Sequence, residues 1–115
     1  MHEMSVCQAL VTQVTAIAAA HPGGHIRGIH LHNGPCSGVD SSLLRHAFEF
    51  FQKGTIVADA TLTIEDQPLT VRCRDCAHIG AVAVNDWRCP ACSSLATEVA
   101  GGDTLILARL ELDIP

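Results

Sequence analysis

The spacing of apolar and polar positions along the chain predicts two helices. Over residues 4–20 apolar side chains recur every three or four positions, as on one face of a helix, and the His-Pro-Gly-Gly segment at 21–24 ends the pattern. A second stripe follows Asp40 or Ser41, either of which can cap a helix, and it ends at the Lys-Gly pair 53–54. The apolar positions of this second helix are Leu43, Leu44, Ala47, Phe48 and Phe51.

Three other segments alternate between apolar and polar residues, which predicts half-buried strands at 25–33, 56–65 and 104–114. In the first of them Ile29 and Leu31 share one face. Together the two helices and three strands carry enough apolar surface for one core. The predicted fold class is therefore α+β, with two helices packed on a three-stranded sheet.

Residues 69–101 contain few large apolar side chains. A lobe of roughly 30 residues is too small to fold on hydrophobic burial alone, so a metal must supply the missing stability. We expect a small zinc-ribbon-like lobe at 69–101, inserted before the last strand. The other domain is then discontinuous and consists of residues 1–68 plus 102–115.

Two CxxC pairs, Cys73 with Cys76 and Cys89 with Cys92, lie twelve residues apart within that lobe. Each pair can offer two thiolates to one ion, and four thiolates complete a tetrahedral zinc shell with no open position for water. The predicted zinc is therefore structural. His78 is a candidate hydrogen-bond donor to this site. Disulfide exchange, as in a thiol oxidoreductase, and an iron–sulfur cluster remain open alternatives.

Composition narrows these alternatives. The chain has 115 residues, six cysteines and a formal net charge of −5, and its start lacks the features of a secretory signal. We therefore expect a cytoplasmic protein, in which thiols stay reduced and paired CxxC motifs bind metal. The negative charge disfavours nucleic acid as a partner, and no apolar run is long enough to span a membrane.

The amino terminus offers a second set of metal donors. The Met1 amine, the His2 backbone nitrogen and the His2 imidazole can close fused chelate rings on one ion. Planar nitrogen donors of this kind suit Ni(II) or Cu(II) better than zinc. Glu3 can add its carboxylate or its amide nitrogen. On chemistry alone, a solvated terminus remains the simpler interpretation.

The chain as a whole resembles the HypA/HybF family of nickel metallochaperones, which help to mature nickel–iron hydrogenases and, in some bacteria, urease. The resemblance is carried by segments that run nearly from end to end: Met1-His2-Glu3-Met4-Ser5, Ala47-Phe48-Glu49, Gly54-Thr55, residues 60–65, both CxxC pairs, and residues 105–111.

The resemblance implies nickel at His2 and Glu3, with Met1 contributing its amine. Asp40 is a further candidate ligand, because an aspartate aligned here can approach the nickel in some members. The chain departs from the family at Ala77 and Ser93, where many members carry glycine after each CxxC pair.

The function implied is that of a carrier, not an enzyme. It would pass Ni(II) to a HypB-like maturation GTPase or to the hydrogenase large subunit, and in some bacteria to urease accessory proteins. The alternative from another class is a zinc-ribbon module that recognises protein or nucleic acid. Acidic and basic residues balance within 69–101, so the lobe has no basic surplus for nucleic acid.

Overall fold

The computed structural model describes residues 2–114, and of His2 it describes the backbone alone. Two helices and six strands lie in this part of the chain. In chain order they are α1 His2–Ala19, β1 His25–Asn33, α2 Ser41–Phe51, β2 Thr61–Asp66, β3 Leu69–Cys73, β4 Ile79–Val82, β5 Thr97–Gly101 and β6 Leu105–Asp113. None of the described helices is apolar enough over a sufficient length to cross a membrane.

By its backbone contacts the chain divides into two compact units. The first unit comprises Met1–Leu31, Val39–Glu65 and Leu107–Pro115, and the second comprises His32–Gly38 and Asp66–Ile106. The domain boundaries at 68/69 and 101/102 remain a prediction.

The first three-stranded sheet has the order β2-β1-β6. Its strands are the three that alternation predicted, and the predicted α+β class is confirmed. The core of the first unit draws on both helices, on β1 and on the chain around the start of β2. Its buried apolar residues are Cys7, Leu10, Val14, Ile26, Ile29, Leu31, Leu44, Ala47, Phe48, Val57, Ala60 and Leu62.

The strand predicted at 56–65 is wrong in its first half, because β2 begins only at Thr61. Residues 55–60 form turns that the Gln52 side chain holds: its amide nitrogen donates to the carbonyls of Val57, Ala58 and Ala60 at 3.2, 3.0 and 3.2 Å. A side chain that satisfies several backbone carbonyls competes with strand pairing, and apolar periodicity does not report it.

The second sheet, β4-β3-β5, was not predicted from the sequence patterns. Strand β3 pairs antiparallel with β4 and also with β5. The buried apolar side chains that this unit contributes are few: Leu69, Val71, Cys73 and Cys89. Two of the four are cysteines of the CxxC pairs, so the lobe has little core apart from its thiols. This fits a zinc-ribbon-like lobe.

Candidate metal centres

The four CxxC cysteines come together at one end of the second sheet. Cys73 Sγ lies 3.6 Å from Cys92 Sγ, and Cys76 Sγ lies 3.6 Å from Cys89 Sγ. All four sulfurs lie within 4.8 Å of one another. A tetrahedral zinc ion with Zn–S bonds of about 2.3 Å separates its sulfurs by about 3.8 Å. The cluster therefore has the size and the donor set of a zinc site.

Backbone N–H groups surround the sulfurs in a repeated arrangement. Cys73 Sγ accepts from the N–H groups of Asp75 and Cys76, at 3.3 and 3.5 Å. The second CxxC turn repeats the first of these bonds, since Ala91 N–H donates to Cys89 Sγ at 3.4 Å. N–H···S bonds of this kind stabilise thiolates relative to thiols. Each CxxC turn therefore directs backbone N–H groups at the sulfur of its first cysteine, as a metal-bound thiolate requires.

The backbone closes each turn in a conformation that L-residues rarely adopt. Ala77 and Ser93 have φ values of 64° and 63°, and they are the residues other than glycine with positive φ in the described part of the chain. Ala77 N–H donates to the Cys73 carbonyl at 3.0 Å, and Ser93 N–H donates to the Cys89 carbonyl at 2.8 Å. The left-handed conformation explains why glycine suits these two positions. This chain adopts the same conformation with alanine and serine.

The pKa values of the thiols differ across the cluster. Burial opposes ionisation of Cys89, yet the N–H groups of Cys92 and Ala91 point at its sulfur and its pKa falls to about 6. The Ser94 N–H lowers the pKa of Cys92, but the neighbouring thiols, Cys73 first, outweigh it and raise the pKa to about 12. Four thiolates this close repel one another, so full ionisation needs a cation between them.

The side chains of Ser94 and Asp75, which lie beside the cysteines, connect the two CxxC turns. The Ser94 hydroxyl donates to the Asp75 carboxylate and accepts from the Ala96 N–H, which ties the second turn to the first. Sequence reasoning missed Ser94, because a serine next to a CxxC pair carries no signal of its own.

The predicted neighbour His78 donates its backbone N–H to Cys76 Sγ, and its carbonyl accepts from Cys73 N–H at 2.9 Å. Its imidazole lies against Gly80.

Nothing is described for the Met1 amine or the His2 side chain, so these two predicted nickel donors lie outside the described structure. Helix α1 begins at His2, two residues before the predicted start. Glu3 therefore lies in its first turn, where a negative side chain interacts favourably with the helix dipole.

Glu3 and Asp40, both predicted as nickel ligands, are brought together although 37 positions separate them. The Glu3 carboxylate accepts from the Asp40 backbone N–H at 3.1 Å. Asp40 is the N-cap of α2, as predicted, and its Oδ1 accepts from the Leu43 N–H at 2.9 Å. One carboxylate from each helix start therefore lies at the junction of the two helix N-termini.

Comparisons of the chain with a family model, with curated relatives and with solved structures all point to the same family. Residues 1–112 match the family model described as hydrogenase/urease nickel incorporation, metallochaperone, HypA. Among curated relatives, the hydrogenase maturation factor HypA of Nitrosospira multiformis is 42% identical over 112 residues, with 97% of each chain covered. That of Aquifex aeolicus is 32% identical, with 99% of each chain covered.

Solved structures agree with these relatives. The solution structure of the Ni metallochaperone HypA from Helicobacter pylori matches 98% of each chain, with a TM-score of 0.69 and 29% identity. A solution structure titled HypA protein matches all of this chain and 98% of its own, with a TM-score of 0.75 and 30% identity. The match extends over both compact units, and the chain belongs to the HypA family of hydrogenase/urease nickel-incorporation metallochaperones.

Proposed function

We propose that this protein carries Ni²⁺ bound at its amino terminus through the Met1 amine, the His2 amide and imidazole nitrogens, and Glu3. The observation that carries the proposal is the contact of Glu3 with the Asp40 N–H, which holds a carboxylate one residue after the expected nitrogen chelate. Membership of a family described by nickel incorporation supports the same metal.

The start of α1 supplies a reason for backbone coordination. The first four N–H groups of an α-helix have no carbonyl partner within the helix. Because α1 begins at His2, the amide nitrogens of His2 and Glu3 are among these. Such a nitrogen can lose its proton and bind nickel without breaking a helical hydrogen bond. Nitrogen donors in a plane are ligands that suit Ni(II).

Electrostatics at this helix end favour an exchangeable site. The partial positive charge of a helix N-terminus disfavours a cation there by about 0.3–1 kcal/mol, and the Glu3 carboxylate offsets that cost. The result is a modest net attraction built from separate donors that can leave one at a time. A carrier needs this property, whereas a closed shell of four thiolates does not have it.

Asp40 is a further candidate ligand in the proposal. Its Oδ1 caps α2 through Leu43 N–H, while Oδ2 makes no hydrogen bond among residues 3–114. One carboxylate can thus cap the helix with one oxygen and bind metal with the other. A ligand anchored to α2 would link nickel to the start of that helix.

We propose zinc as the resident ion at Cys73, Cys76, Cys89 and Cys92, where it would stabilise the second unit. With all four positions occupied by thiolates, that ion has no open position for a substrate. The His78 N–H bond to Cys76 Sγ would orient a zinc ligand from outside the shell.

Delivery is the last part of the proposal. The family description joins nickel incorporation to hydrogenase and urease. We therefore propose that the nickel goes to a HypB-like GTPase or the hydrogenase large subunit, or to urease accessory proteins, and that the chain itself catalyses no reaction.

Isothermal titration of nickel into untagged, zinc-loaded protein tests the terminal site. Replacing His2→Ala removes the imidazole and is expected to weaken nickel binding at least about tenfold, or about 1.4 kcal/mol. His21→Ala is the matched control, because His21 is an exposed histidine beyond the other end of α1. It should leave nickel affinity unchanged, and zinc content should stay the same in both variants. Equal nickel affinity in H2A and the wild type would overturn the proposal.

A further inference from the structure

Strand β6 has one unpaired edge in the first sheet. The strand order is β2-β1-β6, so within residues 2–114 the strand beside β6 is β1 alone. β6 is nine residues long and contains neither proline nor lysine, whereas β2, at the other edge of the sheet, has six residues. A long edge strand without such residues presents a row of free backbone N–H and C=O groups. The edge of β6 is therefore a surface that can pair with a further strand.

The apolar side chains of β6 are only partly covered. Ile29 and Leu31 of the neighbouring strand β1 are 0% and 1% exposed. On β6, Leu110 and Leu112 are half-buried, and Ile114, just after the strand, is 60% exposed. Burial on the apolar side of the sheet thus falls off from β1 to β6. A strand added beside β6 would shield these side chains further.

The other face of β6 carries two opposite charges that have unused hydrogen-bonding atoms. Arg109 Nη2 donates to Glu111 Oε1 at 3.0 Å, and His30 Nε2 lies 2.7 Å from the same oxygen. Glu111 Oε2 makes no hydrogen bond within residues 2–114, and neither do Nη1 and Nε of Arg109. The Arg109 and Glu111 side chains are 65% and 49% exposed. Each can therefore bind a further group of opposite charge.

A second copy of the chain offers those groups in one register. If two β6 strands pair antiparallel about Leu110, Arg109 of each copy lies directly opposite Glu111 of the other. Directly opposite residues have Cβ atoms about 4.5–5.5 Å apart, whereas residues two positions apart along one strand are about 6.6 Å apart. A register centred on Arg109 or on Glu111 instead places like charges opposite each other, which is destabilising. Charge complementarity thus favours the register centred on Leu110.

We propose that two copies of the chain pair through the free edges of β6 and form one continuous six-stranded sheet. The contact is isologous, because a twofold axis at Leu110 relates the two strands. On the apolar side of the sheet, Leu110 meets its counterpart and Ala108 meets Leu112 of the other copy. The paired residues 107–113 all lie in the first compact unit. This interaction surface does not depend on where nickel binds.

Analytical ultracentrifugation of the full-length, zinc-loaded protein without added nickel tests the pairing. The wild type should dimerise reversibly. Arg109→Glu places carboxylates opposite each other and should raise the dimer dissociation constant at least about tenfold. The double variant R109E/E111R exchanges the two charges and should restore dimerisation, because opposite charges again face each other. Both side chains are exposed, and circular dichroism and zinc content check that each variant is folded.

Arg72→Glu is the matched control for the change in net charge. Arg72 is exposed on β3 of the second sheet, so its reversal should leave the dissociation constant as in the wild type. Equal dimerisation of R109E and the wild type would overturn the inference, and so would equal weakening by R109E and R72E. Failure of R109E/E111R to restore dimerisation would overturn the assigned register.

Amide hydrogen exchange locates the contact. Dilution of the wild type should speed exchange in β6 over residues 107–113, while exchange in β2, the other edge strand, stays unchanged. A dimer whose dilution speeds exchange in β2 and not in β6 would contradict the proposal. A wild-type chain that stays monomeric at concentrations up to about 1 mM would also overturn it.

Discussion

Replacing Ala77 or Ser93 by glycine should stabilise the zinc-loaded second unit. Both residues have φ values near +60°, where the Cβ atom is strained by about 1–2 kcal/mol. Glycine removes that strain but loses about 0.4–1 kcal/mol through the greater freedom of the unfolded chain. Both side chains are exposed, so no packing is lost. The net gain should be about 0.5 kcal/mol per site, or about 1 kcal/mol for the double variant.

Zinc affinity is the appropriate measurement, because folding of such a lobe and metal binding are one equilibrium. A gain of about 1 kcal/mol corresponds to about fivefold tighter zinc, measured by competition with a chromophoric chelator. Ala91→Gly is the matched control. Ala91 lies in the second CxxC turn and is exposed, but its φ is not positive, so glycine should weaken zinc binding there. Weaker zinc binding in A77G and S93G, as in A91G, would refute the reasoning.

Three further predictions follow from the same structure. Asp40→Ala removes the cap on Leu43 N–H and should lower the free energy of unfolding by about 1 kcal/mol, measured by thermal unfolding. Asp40→Asn keeps a capping oxygen, so equal destabilisation by both substitutions would contradict the capping role of Asp40. Removal of zinc with a chelator should speed amide hydrogen exchange in β3, β4 and β5 but leave exchange in α1 unchanged. Unchanged exchange in all four elements would contradict the proposal that zinc stabilises the second unit. Iodoacetamide should alkylate the half-buried Cys36 faster than the buried Cys7. Burial raises the pKa of the Cys7 thiol to about 11 and so protects it, and equal alkylation rates would contradict this expectation.

Those elements whose stability is local were predictable from sequence. The stripe in α2 and its Asp40 cap are encoded within a dozen residues, and the alternation of β1 reports the face that buries Ile29 and Leu31, although Ile26 on the other face is buried as well. The four-cysteine cluster was equally accessible, because CxxC spacing is itself the geometry of a metal-binding turn.

Other features depend on partners that periodicity does not register. The late start of β2 reflects the Gln52 side-chain amide, which donates to the carbonyls of Val57, Ala58 and Ala60. Strands β4 and β5 of the second sheet have few large apolar residues and so lack a clear alternation signal, whereas β3 does alternate, with Leu69, Val71 and Cys73 buried, but over only five residues. The contact of Glu3 with Asp40 joins helices far apart in sequence, so it became visible only in the folded chain.

The most direct test of the central claim is a nickel titration of the untagged protein beside a variant with two glycines added before Met1. Two added residues place the histidine fourth in the chain, so the free amine, the neighbouring amide and the imidazole no longer close fused five- and six-membered rings on one ion. One added residue would place it third, where the amine, two amides and the imidazole form another planar nickel chelate. Every other side chain and the four thiols stay as they are. We predict that nickel affinity falls at least about tenfold and that zinc content does not change. Undiminished nickel binding in the extended chain would contradict a site built on the amino terminus.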